Sequence, residues 1–253
     1  VKIETGAFKG CKSLMRVKIP STVKVVDDSA FQDCELLGEL LLCEGLEKIG
    51  KETFRGCQSL RSLKVPSTVK FMGEGAFRRC IRLMSVEICE GIEQIGETAF
   101  RECQLNSIKI PSTVRVIGVG AFFNCEQLVE VELCEELEFI DDSAFNSCLS
   151  LRRVRIPSTV EVMGVMVFVH CTQLVEVELC GGLETIGLQV FSCCKSLQRM
   201  NVPSSVKKIE ACAFQHCFQL AQVELHEGLE RIEEKAFHSC VSLKHMKFPP
   251  PSN

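Results

Sequence analysis

The chain has no Trp, no Tyr and only five Asn. None of the Asn lies in an N-x-[ST] triplet, so no glycosylation acceptor marks a secreted loop, though five Asn make that absence weak grounds for locating the chain. No apolar run approaches the roughly 18 residues needed to cross a bilayer. Positive charge is scarce as well: 29 Lys and Arg face 33 Asp and Glu, for a net charge of −4 and a pI near 5.8. That balance excludes a general nucleic-acid binder, which needs clustered cations to neutralise phosphates. The phosphate loop G-x-x-x-x-G-K-[ST], the zinc motif H-E-x-x-H and the nucleophile elbow G-x-S-x-G are all missing. Five His fall mainly in the last third, with no Ser or Asp partner at a repeated position, so no enzyme is expected. The first residue, Val1, falls inside a repeat and is not Met, as expected of a fragment or a processed chain whose signal peptide would not be visible.

What is present is a regular pattern. The chain is 46% hydrophobic, enough for a large core and unlike a disordered segment. A phenylalanine followed three residues later by cysteine recurs eleven times, at Phe8, Phe31, Phe54, Phe77, Phe100, Phe122, Phe145, Phe168, Phe191, Phe214 and Phe237. Nine of the ten intervals are 23 residues; the interval from Phe100 to Phe122 is 22. A fixed period of this size signals a solenoid, whose units hide their apolar faces only against their neighbours.

The unit reads L-x-x-V-x-I-P-S-T-V-x-x-I-G-x-x-A-F-x-x-C-x-x. Alternation in L-x-x-V-x-I predicts a short strand, with Val17 and Ile19, or Val154 and Ile156, facing inward. Pro-Ser-Thr or Cys-Glu-Gly then turns the chain. Gly50, Gly73, Gly96, Gly118, Gly164 and Gly187 suit a tight, left-handed backbone position. The segment through Ala-Phe to Cys predicts one or two helical turns. Stacked at about 4.8 Å, such units form a rod or arc roughly 50 Å long, with a parallel sheet on one face and short helical turns on the other.

These residues carry a family resemblance. The unit resembles the leucine-rich repeats of the BspA-like type, whose hallmark is I-P-x-x-V-x-x-I-G-x-x-A-F-x-x-C-x-x-L, and the likeness spans residues 1–248. The resemblance implies an α/β solenoid, a right-handed curved arc used for binding, often in bacterial surface adhesins, with no shared catalytic residues. The repeats also pair: Pro20, Pro66, Pro111, Pro157 and Pro203 alternate with Cys43, Cys89, Cys134, Cys180 and His226, giving a doublet of about 46 residues.

Seventeen Cys invite chemical readings, but their spacing points to packing. Eleven, from Cys11 to Cys240, share one position in the unit, and free Cys behaves as a small buried hydrophobe. Stacked side chains point the same way rather than toward each other, and the turn cysteines recur only every second unit, roughly 10 Å apart and beyond disulfide reach. His170, Cys193 and His216, with Cys212 and His238 nearby, offer zinc-type donors. His170 and His216 are nevertheless two units apart, too far for one ion, so a row of exposed polar residues is the expectation, with no metal or cofactor.

Two surfaces stand out. The outward stripe of the sheet alternates in sign through Lys64, Glu87, Lys109, Glu132, Arg155 and Glu178, a ladder of lateral opposite-charge pairs that fixes register. It carries no aromatic, so neither bases nor sugars have a platform there. Elsewhere, positions that are polar in most units turn apolar at Phe71, Val116, Val119, Phe123, Phe139, Val162, Val165 and Val169. Such a cluster marks a contact surface on the flank and convex side, unless the side chains fold inward.

The sequence therefore predicts one solenoid over residues 1–248, with a Pro-rich tail or linker at 249–253. Its predicted function is non-catalytic protein recognition or adhesion by the solenoid surface. The alternative is a structural subunit or spacer that self-associates, or joins an assembly, through the apolar flank. Partners would be proteins, with no nucleic acid and no membrane insertion. The resemblance favours the cell surface, whereas unpaired cysteines fit a reducing interior.

Overall fold

The structure, a computed structural model, describes residues 1–247. Each turn of the solenoid contributes one strand to each of two parallel stacks. The first holds the L-x-x-V-x-I strands, with six consecutive members from Ser62–Val65 to Glu176–Leu179 in one hydrogen-bonded sheet. The second holds two-residue strands such as Val116–Ile117, Phe139–Ile140 and Val162–Met163. All pairings are parallel, because every turn brings the chain back in the same direction, and register is one residue per repeat: Val154 lies against Val177 and Ile156 against Leu179. Burial alternates as the sequence predicts, with Val154 and Ile156 inside and Arg153 and Arg155 outside.

The core is a set of columns running along the stack. The repeat phenylalanines form one, in which all ten successive ring pairs are parallel-stacked with centroids 4.9–5.6 Å apart. This is offset stacking, the favoured arrangement of aromatic quadrupoles. Phe31 through Phe214 are buried, while the terminal Phe8 is 42% exposed.

The third side is not helical, which corrects the sequence-based expectation. The residues two before and two after every repeat Phe are left-handed, as at Ser29 and Asp33 (φ 55° and 57°) or Thr98 and Glu102 (φ 49° and 62°). Such residues break a right-handed helix every four positions. The backbone donors are also spent differently. The N–H groups of Ser29, Phe31 and Asp33 bond along the stack to the carbonyls of Lys51, Thr53 and Arg55, while Ala30, Gln32 and Cys34 close turns to residues three back. Hydrogen bonding between coils replaces the i→i−4 bonds a helix would make.

The recurrent glycine needs a second correction. Gly73 is not left-handed; a Cβ there would lie 2.6 Å from the carbonyl carbon of Gly50 in the preceding coil. Close approach of neighbouring coils, rather than backbone handedness, excludes a side chain at that point. Left-handed positions are instead filled mostly by other residues, at a strain of about 1–2 kcal/mol each.

All seventeen cysteines are unpaired. In ten of the eleven ladder positions the thiol lies 3.1–3.4 Å from the carbonyl oxygen of the repeat Phe one coil earlier, from Cys34 on Phe8 to Cys240 on Phe214. The same carbonyl accepts the N–H of the cysteine in its own coil. Cysteine is therefore a space-filler that also donates a weak S–H bond, using the second lone pair of a buried carbonyl.

Candidate functional site

Three outer surfaces are available on this frame. On the first sheet the outward residues form discrete pairs: Lys64 with Glu87 and Lys109 with Glu132 at 2.5 Å, and Arg155 with Glu178 at 3.6 Å. These pairs are well exposed, so solvent and salt weaken them. Shallow open depressions follow this face; one of about 590 Å³ is lined by Glu90, Lys109, Ser112, Glu132, Glu135 and Arg155. It mixes both charges and is open to solvent.

Along one edge of this sheet the doublet acquires a physical meaning. Glu44, in a Cys-Glu-Gly turn, accepts hydrogen bonds from Ser67 N (3.2 Å), Ser67 Oγ (3.0 Å) and Thr68 N (3.3 Å) of the Pro-Ser-Thr turn one coil on. Glu90 does the same with Ser112 and Thr113. In return Thr113 Oγ1 accepts from Gly91 N at 2.9 Å. Gly91 has φ 129°, and a Cβ there would meet Ser67 O at 2.1 Å, so the interlock requires glycine on both counts.

The Ser67 and Ser112 backbone N–H groups hold the Glu44 and Glu90 carboxyls below their ordinary range. A carboxylate depressed in the folded state stabilises above its unfolded pKa, and that contribution is lost as pH falls through the folded value. We therefore expect wild type to melt above a Glu44→Ala/Glu90→Ala variant at pH 6–7, with the gap closing toward pH 3. Melting curves across that range check it; a gap independent of pH would mean that the carboxylates' charge is not what matters.

The third doublet departs from this arrangement. Glu136 stands where Gly45 and Gly91 stand in the earlier turns, Glu135 pairs with Arg155, and Arg115 Nη1 donates to Glu136 O at 2.8 Å. Cys134 turns toward Val114 O instead of toward a glutamate, whereas Cys89 and Cys180 approach Glu87 and Glu178.

The apolar residues picked out by sequence divide among different places. Val116, Phe139 and Val162 are direct in-register neighbours on the outer face of the second sheet, with Val162 50% exposed and the other two half-buried. Val119 (exposed) and Val165 (half-buried) sit at the corner that follows, separated by Asp142, whose carboxylate accepts from Val165 N. Phe71 is exposed in the same stack but on the preceding sheet, cut off from the others by Gln94, and Lys48 lies over its ring at 5.5 Å. Phe123 belongs to the third side, half-buried under the Arg101 guanidinium at 4.5 Å. Val169 is a correction: it is 8% exposed, because its column, with Asn146 and Ser192 one coil away on either side, packs between coils.

His170, Cys193 and His216 occupy the left-handed position two after the repeat Phe, with φ near 60° in all three. That position favours Gly, Asn, Asp and His, which accounts for the histidines in this row. His216 and His238 rings lie 5.8 Å apart, and no three His, Cys, Asp or Glu converge on a metal-sized site among the described residues. No helix among the described residues is long and apolar enough to cross a membrane. The expected Pro-rich tail, with Phe248, lies outside the described residues.

Known proteins place this arrangement. The fold is shared with a leucine rich cell surface protein of Faecalibacterium prausnitzii A2-165 (23% identity over 99% of this chain and 83% of the other, TM-score 0.52). It is shared too with a leucine-rich repeat protein of Bacteroides ovatus ATCC 8483 (24%, 97% and 82%, TM-score 0.57). The pneumococcal vaccine antigen PcpA is similar at 16% identity over 97% of this chain and 72% of the other, with a TM-score of 0.61. A search of curated proteins returned no match. The model of the BspA type leucine rich repeat region matches in six copies over residues 1–106, 93–221 and 207–253, and the chain belongs to that family.

Proposed function

We propose that this chain is a non-catalytic protein-recognition scaffold, displayed at a cell surface, whose contact surface is its solenoid exterior. The observation that carries the reading is the row Val116, Phe139 and Val162. Three apolar side chains stand side by side on the solvent face of the second stack, whose equivalent positions elsewhere hold Lys48, Gln94, Thr185, Lys208 and Arg231 and, singly between polar neighbours, Val25 and Phe71. This is the longest apolar run in the column, and three adjacent exposed or half-exposed apolar side chains fit a surface that meets another molecule. The surface location draws on the printed description of the Faecalibacterium protein. Ion-paired residues such as Lys64 and Glu87 on the first sheet would give orientation and register to a partner more than affinity.

Light scattering after size exclusion tests the reading, with wild type beside a Phe123→Asp/Val162→Asp variant. A recognition module is monomeric in both forms, with a preserved melting temperature. A wild-type dimer that becomes a folded monomer in the variant would favour the other reading, a subunit that contacts copies of itself through this flank.

A further inference from the structure

The apolar row coincides with a second, independent break. One residue before it, the outward positions of successive coils read Lys24, Glu47, Lys70, Glu93, Arg115, Glu138, Glu161, Glu184, Lys207 and Glu230. Sign alternates along the whole column except at Glu161, where a cation is due. The alternation is used elsewhere: Lys24 pairs with Glu47 at 3.0 Å, Arg115 with Glu138 at 3.7 Å and Lys207 with Glu184 at 2.8 Å. Glu161 is exposed and has no ion-pair partner among the described residues. It is held next to Glu138 by the bond from its own N–H to Glu138 O, at 3.0 Å. Like charges held side by side in neighbouring coils repel, so this glutamate gives the stack no favourable pair in the column. Asp142 adds a further carboxylate at the adjoining corner, between Val119 and Val165.

We propose that this flank captures a basic, apolar segment of a partner protein. The partner's apolar side chains lie on Val116, Phe139 and Val162, and its Lys or Arg side chains meet Glu138, Glu161 and Glu184. The assignment rests on the recognition reading above and adds the chemistry of the partner. Charge complementarity selects the occupant. A cation above Glu161 relieves the Glu138–Glu161–Glu184 run in place of the missing lysine, and binding on an apolar strip shields the contact from water. A two-fold pairing of this chain through the same patch would set the acidic row against itself. Nucleic acid is excluded by the same sign.

The test is calorimetric titration of the whole chain with short alternating peptides, Lys–Leu, Lys–Ser and Ser–Leu, against wild type and two single variants. Glu161→Lys restores the alternation at the patch. Glu47→Lys makes the same change in net charge far from it, and melting curves confirm that each is folded. The Lys–Leu peptide should bind wild type and Glu47→Lys alike, and bind Glu161→Lys about tenfold more weakly, with affinity falling as salt rises. Equal binding to Glu161→Lys and Glu47→Lys overturns the proposal, as does no binding of Lys–Leu, or Lys–Ser binding as tightly as Lys–Leu. Concentration-dependent self-association that vanishes in Glu161→Lys also overturns it, by making the occupant a second copy docked through its Lys48–Phe71 region. If Ser–Leu binds wild type as tightly as Lys–Leu does, apolar recognition stands and only the charge assignment fails.

Discussion

Phe122→Ala should destabilise the chain by about 3–5 kcal/mol, the range for deleting a fully buried aromatic side chain. Phe122 is 0% exposed and stacks on Phe100 at 5.6 Å and Phe145 at 5.2 Å, with ring planes within 9° and 4°. Removing it opens a void in a column that backbone bonds on both sides hold at fixed spacing: Phe100 N bonds to Ala121 O and Phe122 N to Ala144 O. The void has little scope to collapse. Because each coil touches only its neighbours, the loss also weakens the link between the two halves of the stack. Urea unfolding should show a lowered midpoint and, if the halves separate, two transitions in place of one. Phe8→Ala is the comparison: this ring is 42% exposed and has a single stacked neighbour at 4.9 Å, so its loss should cost less than about 1.5 kcal/mol. Equal losses at the two positions would mean that the phenylalanine column does not carry the fold.

The second large effect is on thiol chemistry. Native chain should expose seven reactive thiols to an Ellman-type reagent, with ten more appearing only on denaturation. The seven are the exposed Cys11 and the half-buried Cys43, Cys89, Cys134, Cys180, Cys193 and Cys212. Burial pushes the Cys80, Cys125 and Cys171 thiols from an ordinary 9.0 up to about 12. Since the thiolate is the nucleophile, this alone lowers their reactive fraction at pH 8 about a thousandfold, before blocked access is counted. The same shift makes a stability prediction. A thiol whose folded pKa is raised stabilises fully below its unfolded pKa, and that contribution is lost as pH rises toward the folded value. The urea midpoint should therefore hold up to about pH 9 and fall between pH 9 and 12. Seventeen thiols reacting together in native buffer would show that the ladder is open to solvent.

Much of this architecture was legible because it depends on residue type at a fixed period. The spacing of Phe and Cys gave the number of coils, and the alternation in L-x-x-V-x-I assigned Val154 and Ile156 inward and Arg155 outward. The apolar row could be read in the same way, as Val116, Phe139 and Val162 in three successive units of a column where apolar residues otherwise stand singly, at Val25 and Phe71. The charge break at Glu161 was equally readable in the column Arg115, Glu138, Glu161, but it becomes meaningful only once those residues are lateral neighbours beside that row. Val169 misled, because its exposure depends on how the third side packs between coils. The turn around Glu136 could be noticed as an irregular spelling, yet its new partners, Arg115 and Arg155, follow only from the three-dimensional arrangement.

The sequence by itself determined the repeat, its length, the inside and outside of each strand and the cysteine ladder as packing, since burial of apolar side chains at a constant period leaves no other arrangement. Tertiary structure decided the conformation of the third side, the reason for the glycines and the thiol-to-carbonyl bonds. Local preferences in Ala-Phe-x-x-Cys allow a helical turn; what prevents one is the row of acceptors one coil away, to which Ser29, Phe31 and Asp33 donate. Gly73 is required by the carbonyl of Gly50, 23 residues earlier, and not by its own φ. In each case the deciding atom belongs to the neighbouring coil, and its distance is set by stacking rather than by the residues on either side.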